Sequence, residues 1–199
     1  MNRLIPIIVL LSIGQAGFPQ HSYRATYSSK APATLDIQIE FDSTSDEEKD
    51  TAGIGEFVQN WLGTTIETSI VLTTKSETSD IELIPVRKVQ SAGVVYSGAK
   101  YKWESGKLFL FKPGLGKFVP SEKKPVHLKF TGASRKIVGY NCREAKSDGN
   151  DSSQVTVWIC EELPSSINPA IVIEGVKGAV FEYFAKGGEE IIIKKLEVL

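Results

Sequence analysis

The chain has 199 residues, with 23 Lys+Arg against 24 Asp+Glu, a formal net charge of −1 and 41% hydrophobic residues. That length and composition suit one ordinary globular domain whose core needs no metal to hold it. The balanced charge speaks against a nucleic-acid binder, which needs an excess of Lys and Arg to neutralise phosphates. With 2 His and 2 Cys in the whole sequence, a four-thiolate zinc site is excluded and little is left for His-based catalysis.

The chain opens on Asn2-Arg3, an apolar run from Leu4 to Ile13, and the small residues Gly14-Gln15-Ala16. This order reads as a secretory signal peptide over 1–16, cleaved after Ala16. The run is too short for a bilayer core, which takes about 20 residues. The expected protein is therefore exported, periplasmic or extracellular in a bacterial cell envelope, with one β-rich domain over 17–199 and no transmembrane span in the mature part.

From Thr34 to Asp42 apolar Leu35, Ile37, Ile39 and Phe41 alternate with polar residues, the period of a half-buried strand. Ser45-Asp46-Glu47-Glu48 then offers a helix start. Ile54, Phe57, Val58, Trp61 and Leu62 fall on one helical stripe closed by Gly63. Strand patterns resume over 64–74, 81–89, 94–103 and 107–112, and the last two flank the turn Glu104-Ser105-Gly106. Val126, Leu128 and Phe130 alternate with His127 and Lys129, which reads His127 as a solvated strand residue; His21 falls at the frayed start of the mature chain. Two further hairpins are expected: 137–146 with 154–161 around Ser147–Asp151, and 177–185 with 190–198 around Lys186-Gly187-Gly188. The sum is a mainly β (α+β) fold, a curved antiparallel sheet of about ten strands with one amphipathic helix against it.

Two segments are apolar on both faces: Leu108 and Leu110 oppose Phe109 and Phe111, and Val155, Val157 and Ile159 oppose Trp158 and Cys160. Such strands are either covered on both sides or line a cavity. If the second hairpin turns near Asn150-Asp151, Cys142 and Cys160 face each other and share a side-chain parity, so a cross-strand disulfide is expected, with two buried free thiols as the alternative. No phosphate loop, nucleophile elbow or Ca²⁺ loop spacing is present, and no cofactor, metal or catalytic residue is expected.

Residues 126–184 carry a resemblance. Gly139-Tyr140-Asn141-Cys142 is followed by Val155-Thr156-Val157-Trp158, by the Glu162-Leu163-Pro164 turn, and by Gly175-Val176-Lys177-Gly178-Ala179-Val180. This resembles the GLPGLI family of secreted bacterial proteins, with its Gly-Tyr-x-Cys strand, its Val-x-Trp strand ending in Glu-x-Pro, and its naming segment. Here only the glycines of that last segment are kept, and Cys160 has no usual counterpart. The resemblance implies compartment and fold rather than an activity. Its strand order is similar to LolA/LolB-type half-barrels, where a helix on the concave face holds an acyl chain. By that analogy the chain is expected to be non-enzymatic and to bind an apolar or lipid-like ligand between helix and sheet, with Phe57, Trp61, Tyr140, Trp158 and Phe181 as ligand-binding candidates. The alternative is an envelope protein–protein interaction module using a sheet edge or the 163–170 loop, with no small ligand.

Overall fold

The computed structural model describes residues 21–32, 65–86, 98–148 and 154–199, and the backbone of 90–91 and 94–95. The signal segment 1–16, the strand expected over 34–42 and the helix expected over 54–62 lie outside the described residues. So do Phe57 and Trp61.

Twelve strands form one open sheet. In chain order they are β1 (Ser22–Pro32), β2 (Thr65–Lys75), β3 (Thr78–Pro85), β6 (Ala99–Glu104), β7 (Lys107–Lys112), β8 (Lys117–Pro120), β9 (Val126–Ile137), β10 (Tyr140–Ser147), β11 (Val155–Cys160), β12 (Ile173–Glu174), β13 (Ala179–Ala185) and β14 (Glu190–Val198). The short pieces β4 (Gln90–Ser91) and β5 (Val94–Val95) pair only with each other. Among the described residues the only helix is a 3₁₀ turn at Pro113–Leu115.

Across the sheet the order is β12-β9-β10-β11-β13-β14-β1-β2-β3-β6-β7-β8. Two meanders, β1–β8 and β9–β14, are joined where the first strand of one pairs antiparallel with the last strand of the other. The fold is mainly β, as the alternating patterns imply, but the central strand β1 was not legible as one. Its inward positions are Tyr23, Ala25, Tyr27, Ser29 and Ala31, small or hydroxyl-bearing residues that give the alternation almost no hydropathy contrast. The reading of its start as a frayed end is corrected, because β1 is hydrogen-bonded on both sides.

A second correction concerns β9. The strand expected to begin at Ile137 is two strands: β9 runs to Ile137, Val138 and Gly139 form the turn, and β10 starts at Tyr140. Both turn residues have positive φ, 49° and 88°, the geometry that lets a two-residue turn follow the twist of its strands. The Ser105-Gly106 turn, with φ of 50° and 76°, is built the same way. Register shifts interrupt the β1–β14, β9–β10 and β11–β13 ladders. Each adds twist, which bends a sheet this wide.

The core lies on one face of the sheet and includes Tyr27, Ile70, Leu72, Ile81, Val157, Ile159, Phe181 and Ile191. What covers it among the described residues is a loop, 161–172, between β11 and β12. Leu163, Ser166, Ile167, Asn168, Ala170 and Ile171 are all buried. Most of the 163–170 loop named as a docking candidate is therefore packed against the sheet, with Ser165 exposed. Ile167 has no exposed surface, and its backbone is fixed by Val180 N–H donating to the Ile167 carbonyl at 2.9 Å.

Candidate functional site

The inner loop is anchored at both ends by polar contacts that a buried backbone requires. At one end Ser166 meets the β2–β3 hairpin. Its Oγ donates to the Ser76 carbonyl at 2.9 Å and lies 2.9 Å from Thr74 Oγ1, while Ser79 Oγ donates to the Ser166 carbonyl. At the other end Asn168 Oδ1 accepts from the Ile171 N–H at 2.8 Å, and Lys123 Nζ donates to the Ala170 carbonyl at 3.0 Å. Lys123 also sits 5.0 Å from the centre of the Tyr101 ring. Its burial lowers the ammonium pKa, partly opposed by Glu189. These groups satisfy one another, so the hydroxyl cluster reads as the anchor of the loop.

The aromatic candidates separate. Tyr140 and Phe181 meet edge to face at 5.8 Å, and Phe181 is wholly buried, which makes this pair core. Trp158 lies beneath the Arg135 guanidinium, 4.1 Å from its ring centre. Arg135 in turn pairs with Glu182, whose side chain is 11% exposed. The Glu182 pKa is raised above the ordinary carboxylate value because burial outweighs the pull of Arg135. Arg143 covers Phe130 in the same manner, at 4.0 Å. Among the described residues each of these rings is covered by an arginine of a neighbouring strand.

Cys142 and Cys160 are buried free thiols, so the expected bridge is not formed in this structure. The register behind that expectation is present, since Arg143 pairs with Ile159 and Lys146 with Thr156. Extending that register by one residue sets Cys142 against Cys160. The pKa of the Cys142 thiol is raised by its contact with Cys160 and by burial.

An apolar surface remains at the other end of the sheet, away from the Ser166 anchor. The inward-facing pair Leu83–Ala99 follows the row Ile81–Tyr101–Leu110, and of these five residues Ile81 alone is fully buried. A depression of about 370 Å³ opens there, lined by Leu83, Gly98, Ala99, Leu110, Phe111 and Pro113, with Glu82 and Lys100 at its rim. A smaller one of about 200 Å³ lies between Lys123, Val126, Ile171 and Tyr183. On the outer face Phe111 and Phe118 pack edge to face at 5.3 Å, and Phe118 is 41% exposed. The two-faced apolar character of 107–111 was the sequence signal for this end of the sheet; which end of each strand is left uncovered was not readable from it.

Among the described residues no group of three or more His, Cys, Asp or Glu is placed to hold a metal ion. His127 Nδ1 is 3.1 Å from Glu174 in an exposed pair across β9 and β12. No helix among the described residues is long and apolar enough to cross a membrane.

No family model matches the chain, and no curated protein matches it. Among solved structures it is similar to PNGF-II in a C2 crystal form, at 14% identity and a TM-score of 0.48, over 90% of this chain. The P21 form of PNGF-II aligns at 13% identity with a TM-score of 0.37. The chain spans 28% of the length of either PNGF-II chain.

Proposed function

We propose that this is a non-enzymatic, exported binding protein of the cell envelope whose ligand is apolar or lipid-like. The binding site is the depression at the end of β3, β6 and β7 around Leu83, Ala99 and Leu110. One observation carries this reading: the inner loop covers the core near Ser79 and Trp103 but leaves the aliphatic row beyond Ile81 half open beside a 370 Å³ depression. That volume falls within the range of small-molecule sites, and its lining is mostly apolar with a charged rim. The stripe Ile54, Phe57, Val58, Trp61 and Leu62 is the sequence element suited to cover such a ligand, and the GLPGLI resemblance of 126–184 supports the compartment. Tyr140, Trp158 and Phe181 drop out of the ligand set, because their faces are occupied by each other and by Arg135.

The test is titration of the full chain with N-phenyl-1-naphthylamine, together with native mass spectrometry of protein taken from the envelope. Saturable fluorescence enhancement that Leu110→Asp weakens at least about tenfold is expected, as a buried charge at an apolar contact demands. Binding unchanged by Leu110→Asp, or no enhancement at all, overturns the reading.

A second reading, docking of another protein's strand, has one observation in its favour. β12 covers only Val126 and His127 of β9, so from Leu128 to Ile137 the outward edge of β9 has no strand partner among the described residues. Lys129, Arg135, Lys136 and the positive φ of Gly132 blunt that edge, as edges kept from pairing are usually blunted. A stoichiometric envelope protein recovered with the chain, and lost when Ser134 is changed to Pro, would favour this reading over the first.

A further inference from the structure

The continuous β10–β11 register, from Lys146 opposite Thr156 to Arg143 opposite Ile159, puts Cys142 opposite Cys160 one step further on. Both residues are fully buried, and the two side chains are within hydrogen-bonding reach. Facing residues in an antiparallel pair have Cα atoms about 4.5–5.5 Å apart, inside the span a disulfide bridges without moving the backbone. Cys160 is also where the inner loop leaves the sheet. Its carbonyl accepts from Leu163 N–H, and Gly178 approaches so closely that a Cβ there would stand 2.4 Å from that carbonyl oxygen.

We propose that Cys142 and Cys160 form an oxidation site that closes to a cross-strand disulfide and, in closing, clamps the base of the inner loop. The reaction is thiol–disulfide exchange with a donor disulfide of the glutathione or dithiol-oxidoreductase class. The Cys160 thiolate attacks one donor sulfur, a mixed disulfide forms, and the first donor thiolate leaves. Cys142 then gives up its proton and attacks the Cys160 sulfur, which releases the second donor thiolate. Two protein thiols are oxidised, one donor disulfide is reduced to two thiols, and the two protons go to those thiolates. The opposite order, with Cys142 attacking first, balances in the same way and gives the same bridge. Burial restricts the exchange to folding, or to moments when the loop opens. The inference does not depend on the ligand proposed above.

The experiment refolds the full chain from denaturant in a glutathione redox buffer and, separately, in excess dithiothreitol. Intact mass and non-reducing peptide mapping follow, with amide hydrogen exchange at Ile167 and Ile171. The oxidised sample should lose about 2 Da, yield one cross-linked peptide joining 142 to 160, and exchange those amides about tenfold or more slower, because the bridge fixes Cys160 at the start of the inner loop. Cys160→Ser should show no such mass loss. Two thiols still open to alkylation after oxidative refolding, or only a glutathione adduct on one cysteine, would overturn the site. A bridge that leaves Ile167 and Ile171 exchange unchanged would overturn the clamp.

Discussion

At the scale of single residues, the largest electrostatic commitment is Glu182. It sits on β13 opposite Trp158 and shares its charge with Arg135 on β9. Burial holds its pKa above the usual carboxylate value in spite of that partner. A raised folded-state pKa means that the folded protein binds this proton more readily than the unfolded chain. The resulting stability is complete below the ordinary carboxylate pKa and is lost as pH rises through the folded value. Arg135→Met removes the cation paired with Glu182 and raises the folded pKa further. We expect urea midpoints to show a loss of about 1–3 kcal/mol at pH 7 that shrinks as pH approaches 4. A loss equal at both pH values would mean that Arg135 acts only by covering Trp158. Val138 shows a different constraint, a β-branched residue held at φ 49° because the β9–β10 turn needs two left-handed positions.

At the scale of elements, the inner loop covers the core face of the sheet among the described residues. Leu163-Pro164-Ser165-Ser166-Ile167-Asn168-Pro169 has no hydropathy period, because a loop that crosses a sheet places its apolar residues by individual contacts. Its polar residues are the clue in hindsight: Ser165 Oγ accepts from Gly178 N–H at 3.0 Å, and Ser166 and Asn168 bond as described above. Ile167 is the apolar centre of this plug. Ile167→Ala should cost about 2–4 kcal/mol in stability, the range for emptying a fully buried aliphatic site. Limited proteolysis of that variant should cut first within 161–172, where the parent chain is protected. A first cut elsewhere, with 161–172 still resistant, would show that the loop is held by its hydroxyl anchors alone.

At the scale of the whole molecule, the sheet depends on one join. β14 bonds to both β13 and β1, and β1 in turn bonds to β2, so among the described strands the two meanders share one ladder, β1 with β14, beside the Ser166 anchor on the β2–β3 hairpin. Such pairing over nearly the full chain length is formed late and slowly. Removing residues 190–199 leaves β1 and β13 each with an unpaired inner edge and takes Ile191 and Ile193 out of the core. We expect the shortened chain to lose its cooperative thermal transition and to associate, read by calorimetry and light scattering. A retained transition would show that each meander is stable by itself.

The sequence by itself determined the β class, the three hairpins around Ser105, Ser147–Asp151 and Gly187, and the register that brings Cys142 to Cys160. All of these rest on local period and turn chemistry, which act between near neighbours. Only the tertiary structure decided that β1 lies in the middle of the sheet, that Ile167 and its neighbours in 161–172 are buried, and that Leu83, Ala99 and Leu110 are left half-buried. Those features come from pairing between residues more than a hundred positions apart and from which surface another segment happens to cover. An alternating strand carries no record of either.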